Sequence, residues 1–214
     1  DIAIEGLPDE NALIAVQIDE LSANRSELVQ IELPPYDGST FLDLPFNMEY
    51  LGQIRAKGNF LGTIYDFVAY AEVKSRIGSL KTDIHFVQDR KTGKINYKGD
   101  LSTSAFDMGT YFEDENLGII TANLNLNASG FDMESLRGTA KGSIKEIGLA
   151  NYTYHDIIID GKFAKDFYDG KLILKDPNID LEYEGYVYFG HDPKYYFTAK
   201  IRDAAVGKIH LAEL

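Results

Sequence analysis

Gly138-Thr139-Ala140-Lys141-Gly142-Ser143-Ile144, Ile157-Ile158-Ile159-Asp160-Gly161-Lys162-Phe163 and Leu181-Glu182-Tyr183-Glu184-Gly185-Tyr186-Val187 are three versions of one phrase. Ile54-Arg55-Ala56-Lys57-Gly58-Asn59-Phe60 and Ile95-Asn96-Tyr97-Lys98-Gly99-Asp100-Leu101 are two more. The shared template is apolar-x-apolar-x-Gly-x-apolar. Side chains of an extended strand alternate between faces with period two. Each copy therefore places its glycine among the apolar residues of one face and its Arg, Lys, Asp, Asn or Glu residues on the wet face.

Outward from these phrases the same alternation continues. Phe67–Val73 and Leu80–Phe86 read as strands, and Asp89–Gly93 as the polar hairpin loop that follows. Ala122, Leu124, Leu126, Ala128 and Gly130 share one face, opposite Asn123, Asn125, Asn127 and Ser129. Turns are expected at Ala164-Lys165-Asp166, Asp176-Pro177-Asn178 and His191-Asp192-Pro193. Phe106–Gly118 is less regular, and Phe131–Leu136 reads as a crossing loop or one helical turn. Near the N-terminus Ile14, Val16 and Ile18 alternate, and Val29–Leu33 before Pro34-Pro35 reads as a second strand; Ile18–Asn24 is the alternative site of a short helix. The expectation is all-β: roughly a dozen strands in a curved antiparallel or mixed sheet. With no linker in view, residues 1–214 form one segment, of which 1–45 are the looser flank.

Composition narrows the function classes. With 214 residues the chain can bury one sizeable core, and its 26 % charged residues are ordinary for a globular protein. A formal net charge of −13 argues against nucleic-acid partners and against docking on an anionic membrane surface. The chain has no cysteine, which removes disulfides and thiol chemistry. No apolar run approaches the length of a membrane-spanning helix. Asp1 does not look like a natural start, so the chain reads as an excised piece of something longer.

The inner face mixes large apolar residues with Gly and Ala. A self-sufficient sandwich fills its interior with bulky side chains; small residues leave space there, or permit a sharp bend. Repetition of the glycine in phase favours a curved sheet around a roomy apolar hollow. The expected lining is Ile54, Ala56, Gly58, Phe60, Tyr97, Gly99, Leu101, Leu124, Leu126, Gly142, Ile144, Ile159, Gly161, Phe163, Leu181, Tyr183, Gly185, Val187 and Phe189. An apolar groove open to water is costly unless something apolar occupies it.

No catalytic, cofactor or metal constellation emerges. The histidines at 85, 155, 191 and 210 lack ligand spacing, and His85 points to the wet face between Ile84 and Phe86. Glu113-Asp114-Glu115 lacks the hinge of a calcium loop and reads as a solvated acidic loop. Neither a nucleophile elbow nor a phosphate loop is present, and no acid pair stands in a hydrolase motif. Tyr186 and Tyr188 face outward beside Glu182 and Glu184, which leaves a second reading: a structural or glycan- or protein-binding β-sandwich module of the cell envelope.

A resemblance rests on Asn151–Ile157, Ile159-Asp160-Gly161, Gly170-Lys171-Leu172 and Asp176-Pro177-Asn178 through Glu184-Gly185. It extends to Leu51–Ile54, Lys57–Gly62, Tyr97–Leu101 and Phe106–Gly109, and covers about residues 45 to 210. Taken as a set, these phrases resemble the TamB proteins of the Gram-negative envelope, within the wider AsmA-like group. The resemblance implies a taco-shaped β-sheet with an apolar groove, in a periplasmic segment whose parent is anchored in the inner membrane. It further implies a non-enzymatic role, without cofactor, in moving phospholipid toward the outer membrane and in outer-membrane biogenesis. The partners it implies are an acyl-chain ligand, adjacent segments of the parent chain, and an outer-membrane barrel protein reached through regions absent from this sequence.

Overall fold

The computed structural model describes residues 1–6, 11–33 and 36–209. Pro34-Pro35 and His210 lie outside the described residues. Twelve strands form one open sheet in chain order: β1 Ile2–Glu5, β2 Leu13–Ala23, β3 Ile54–Gly62, β4 Asp66–Ser75, β5 Gly78–Gln88, β6 Ile95–Asp107, β7 Leu117–Ser129, β8 Arg137–Leu149, β9 Tyr152–Ala164, β10 Phe167–Asp176, β11 Ile179–Tyr188 and β12 Lys194–Ala204. Every pairing is antiparallel and joins sequence neighbours, so the mixed-sheet alternative falls away. The closed sandwich falls away with it, since there is a single layer.

Register lines the repeated phrases up into continuous rows. One row crosses β3 to β12 as Phe60, Ala69, Ile84, Gly99, Leu126, Ala140, Gly161, Gly170, Gly185 and Phe197. The next runs Gly58, Ala71, Thr82, Leu101, Leu124, Gly142, Ile159, Leu172, Tyr183 and Ala199. The opposite face carries alternating charge along Lys141, Asp160, Lys171 and Glu184, closed by ion pairs of 2.8 Å (Lys141–Asp160) and 3.2 Å (Lys171–Glu184). Lys57, Glu72 and Lys81 form a second ladder, and hydrogen bonds from Lys57, Tyr70 and Lys81 hold the Glu72 carboxyl down to about 2. A slip of one residue would bring charge onto the apolar face and break these pairs, so both faces specify the same register.

Two glycines sit where neighbouring backbones come unusually close. Gly99 and Gly142 sit at φ +147° and +152°, extended conformations that an L side chain rarely adopts. A Cβ on Gly99 would lie 2.1 Å from the Asp83 carbonyl oxygen, and one on Gly142 2.1 Å from that of Asn123. At these positions the small residue brings neighbouring backbones together at a curve.

Two apolar clusters stabilise one end of the strands. Ala23, Leu28, Leu51, Ile54, Ile77 and Phe106 pack beneath the β2–β3 connection, which contains helix α1 (Arg25–Leu28) and a 3₁₀ turn at Phe46–Leu51. Ala122, Ile144, Tyr154, Ile157, Leu174 and Ile179 pack with Ile209, which is 1 % exposed beyond a second 3₁₀ turn at Val206–Lys208.

Two N-terminal expectations are corrected. Val29–Leu33 is not a strand: α1 ends at Val29, and Glu32 makes only an isolated bridge to Phe41. Nor does a helix occupy Ile18–Asn24, because β2 runs through Ala23. The cause is a capping box. The Asn24 side chain accepts from the Glu27 amide at 3.0 Å, and the Glu27 carboxylate accepts from the Asn24 amide at 2.8 Å. Phe106–Gly118 holds a short helix α2, Met108–Phe112, and Phe131–Leu136 is a turn.

Gly142→Ala is expected to lower stability by about 2 kcal/mol or more in urea unfolding, through backbone strain and backbone contact. Gly207→Ala, where an added Cβ meets nothing within 4 Å, should stay within about 0.5 kcal/mol of the parent.

Candidate functional site

The expected lining residues that stand in strands fall on one face of the sheet, and of the whole expected lining Phe189 alone lies outside a strand. That residue follows the end of β11 and lies in the β11–β12 turn, exposed and edge-on to Tyr195 at 6.1 Å between ring centroids. The others divide by cover. Ile54 and Ile144 are buried by the chain itself, and Ala56, Leu124, Ile159 and Leu181 pack against the two clusters. Phe60, Tyr97, Leu101, Leu126, Phe163, Tyr183 and Val187 are half-buried, with no second sheet above them.

The half-buried region has an aromatic margin. Phe60 meets Phe67 at 4.5 Å, and Phe67 stacks on Phe86 at 4.6 Å. Phe131, from the β7–β8 turn, lies parallel to Phe86 at 6.4 Å and to Tyr97 at 5.4 Å. Phe67, Phe86 and Phe131 were missed by sequence reasoning, although Phe67 and Phe86 stand in strands whose alternation was visible; those strands lack the glycine that marked the phase. Tyr168 was missed too. Its ring covers Gly161, since a Cβ there would meet Tyr168 Cζ at 2.8 Å, and its hydroxyl donates to the Lys171 carbonyl at 2.7 Å. Burial pushes the Tyr168 hydroxyl up to about 12.

The two ends of the strands approach each other over the apolar face. β7 has 13 residues, about 40 Å if straight. Yet a cleft of about 740 Å³ is lined both by Glu113–Asn116 before β7 and by Met133, Glu134 and Leu136 after it. A second cleft, of about 630 Å³, joins Pro45–Asn47 from the β2–β3 connection to Gly93–Ile95 and Gly130–Asp132 from the opposite ends of the strands. Tyr97 and Tyr111, which belong to opposite ends, are near enough to interact: burial first, then the Tyr111 charge, pushes the Tyr97 hydroxyl up to about 12. The Tyr97 hydroxyl also donates to the Gly130 carbonyl at 2.9 Å. Apolar residues thus share one face of the sheet, and each cleft joins residues from both ends of the strands.

A polar cluster beside the second apolar cluster resembles catalytic machinery in composition and differs from it in bonding. The Asp176 carboxylate, without solvent contact, accepts from the Tyr152 hydroxyl at 2.6 Å, the Asn178 amide at 2.8 Å, the His155 amide at 3.0 Å and His155 Nδ1 at 3.1 Å. Burial alone would raise its pKa, but these hydrogen bonds together outweigh burial and leave it below the ordinary 3.8. With its acceptor positions filled by the corner it organises, the carboxylate ties β9, β10 and the β10–β11 turn together.

Elsewhere His85 lies on the outer face, 2.7 Å from Asp66. Glu113 accepts a hydrogen bond from the Tyr50 hydroxyl, and Asp114 from the Asn116 amide at 2.9 Å. Among the described residues no group of three His, Cys, Asp or Glu side chains is placed to hold a metal ion. No helix of the described residues is long and apolar enough to cross a membrane. No protein-family model, curated protein or solved structure matches the chain.

Asp176→Asn is expected to destabilise the protein by about 2 kcal/mol near pH 7, because it removes an acceptor from a filled buried cluster. A carboxyl with a lowered folded pKa contributes stability above its unfolded value and loses it as pH falls through the folded one. The difference between parent and variant in urea unfolding should therefore narrow below the ordinary carboxyl value of 3.8.

Proposed function

We propose that this chain is a non-enzymatic segment of a TamB-like envelope protein that shelters acyl chains in the periplasm and passes phospholipid between the inner and outer membranes. The observation that carries this reading is the inner face. Phe60, Leu101, Leu126, Phe163 and Val187 are half-buried on a curved single-layer sheet, and two clefts join residues from both ends of its strands. Water against such a surface is unfavourable, and a methylene chain replaces it at about 0.8 kcal/mol per buried CH₂ group. The rows supply apolar contact along the sheet without a pocket shaped to one molecule, which suits a ligand that slides. In this role the chain makes and breaks no covalent bond and needs no cofactor; its partners are the lipid and the neighbouring segments of a longer parent.

The outer tyrosines support a narrower second reading. Tyr186 stacks on Tyr196 at 6.2 Å, and Tyr196 is 76 % exposed, so a small aromatic platform faces outward near the sheet edge. It could engage glycan or protein, as a surface of the open sheet rather than of a sandwich.

The purified protein is expected to bind the neutral apolar dye N-phenyl-1-naphthylamine with a rise in fluorescence. Leu126→Asp should weaken that binding about tenfold or more while keeping the β-sheet circular dichroism signal. Dye binding unchanged by Leu126→Asp but lost in Tyr186→Ala would favour the outer platform.

A further inference from the structure

The two clefts differ in charge. The one between Phe46 and Phe131 is bordered by Lys94 and Arg137, both exposed. Its one carboxylate, Asp132, is occupied within its own turn, where it accepts from the Glu134 amide at 3.0 Å, the Ser135 amide at 2.9 Å and the Ser135 hydroxyl at 2.6 Å. Arg137 Nε donates to the Ser135 carbonyl at 3.2 Å, which leaves the rest of its guanidinium for another acceptor. Among the described residues neither Lys94 nor Arg137 has a carboxylate partner. Beside them Phe46 is 65 % exposed, with the Arg25 guanidinium 5.8 Å from its ring centre.

The second cleft is the reverse. Glu113, Asp114, Glu115, Glu134 and Asp166 border it against one cation, Lys165, which is already paired with Glu134. In a chain of net charge −13, a cleft bordered by two cations, with its one carboxylate occupied and an exposed aromatic ring beside it, is set apart from its acidic counterpart.

We propose that the ligand of the inner face is an amphiphile with an anionic headgroup, and that it is held at the Lys94–Arg137 cleft with its chain directed past Phe46 and Phe131 onto the apolar rows. This rests on the acyl-chain reading above and adds the headgroup and its place. Lys94 supplies a mobile point charge and Arg137 a planar fork suited to phosphate or carboxylate oxygens. The acidic cleft repels the same headgroup, so the two openings are not equivalent.

The test uses the whole chain loaded with N-phenyl-1-naphthylamine and three competitors with the same acyl chain: lysophosphatidylglycerol, lysophosphatidylcholine and monoacylglycerol. The anionic competitor should displace the dye at about tenfold lower concentration than monoacylglycerol, with lysophosphatidylcholine near the neutral compound. The Lys94→Glu/Arg137→Glu double variant should abolish that preference and leave displacement by monoacylglycerol unchanged. Lys91→Glu, an exposed change in the same turn but outside the cleft, should preserve it. Equal displacement by all three competitors, or a preference that survives the double variant, would overturn the headgroup assignment and leave acyl-chain binding standing. Failure of every competitor to displace the dye would overturn both.

Discussion

A single layer of strands has one apolar face and nothing to lay against it, and that shortage governs the molecule. Most domains answer it with a second sheet or a layer of helices. Here the sheet is curved and stays open. Within it Gly99 and Gly142 let adjacent backbones close to distances that a Cβ would not permit. The shelter is then completed at one end by the β2–β3 connection and by Ile209. The other half keeps Phe60, Leu101 and Leu126 only partly covered.

The fold was legible because strand alternation and cross-strand register carry the same information. The phrases around Gly58, Gly99, Gly142, Gly161 and Gly185 put their apolar residues on the face the structure uses. What escaped were contacts made by residues far apart in the chain. Phe131 is brought to Tyr97 by a turn with no periodicity to read. The Asp176 cluster unites residues of β9 with the turn after β10 and leaves no local signature. Val29–Leu33 looked like a strand because it is apolar in alternation. The Asn24–Glu27 capping box, a local signal, overrides that pattern and was readable just upstream.

The polar features divide along the same line between shape and chemistry. The ion-pair ladders of the outer face fix register and solubility, and the Asp176 cluster fixes a corner; each uses up its own hydrogen-bonding capacity. Lys94 and Arg137 do not, and both border the cleft between Phe46 and Phe131. Their place on a cleft, beside exposed aromatic surface, is what separates them from the unpaired cations of the outer face. It arises only once the ends of the strands have been brought together.

Because each strand is hydrogen-bonded only to its neighbours in the chain, the architecture is effectively one-dimensional. Cooperativity must pass from hairpin to hairpin, as in a repeat array, and the energetic cost of losing a terminal strand is a single interface. β12, solvent-exposed on both faces along most of its length, is the natural point where fraying begins. The same geometry means that one more antiparallel strand could join there without disturbing any pairing already made, so the length of the sheet is a free variable of the design.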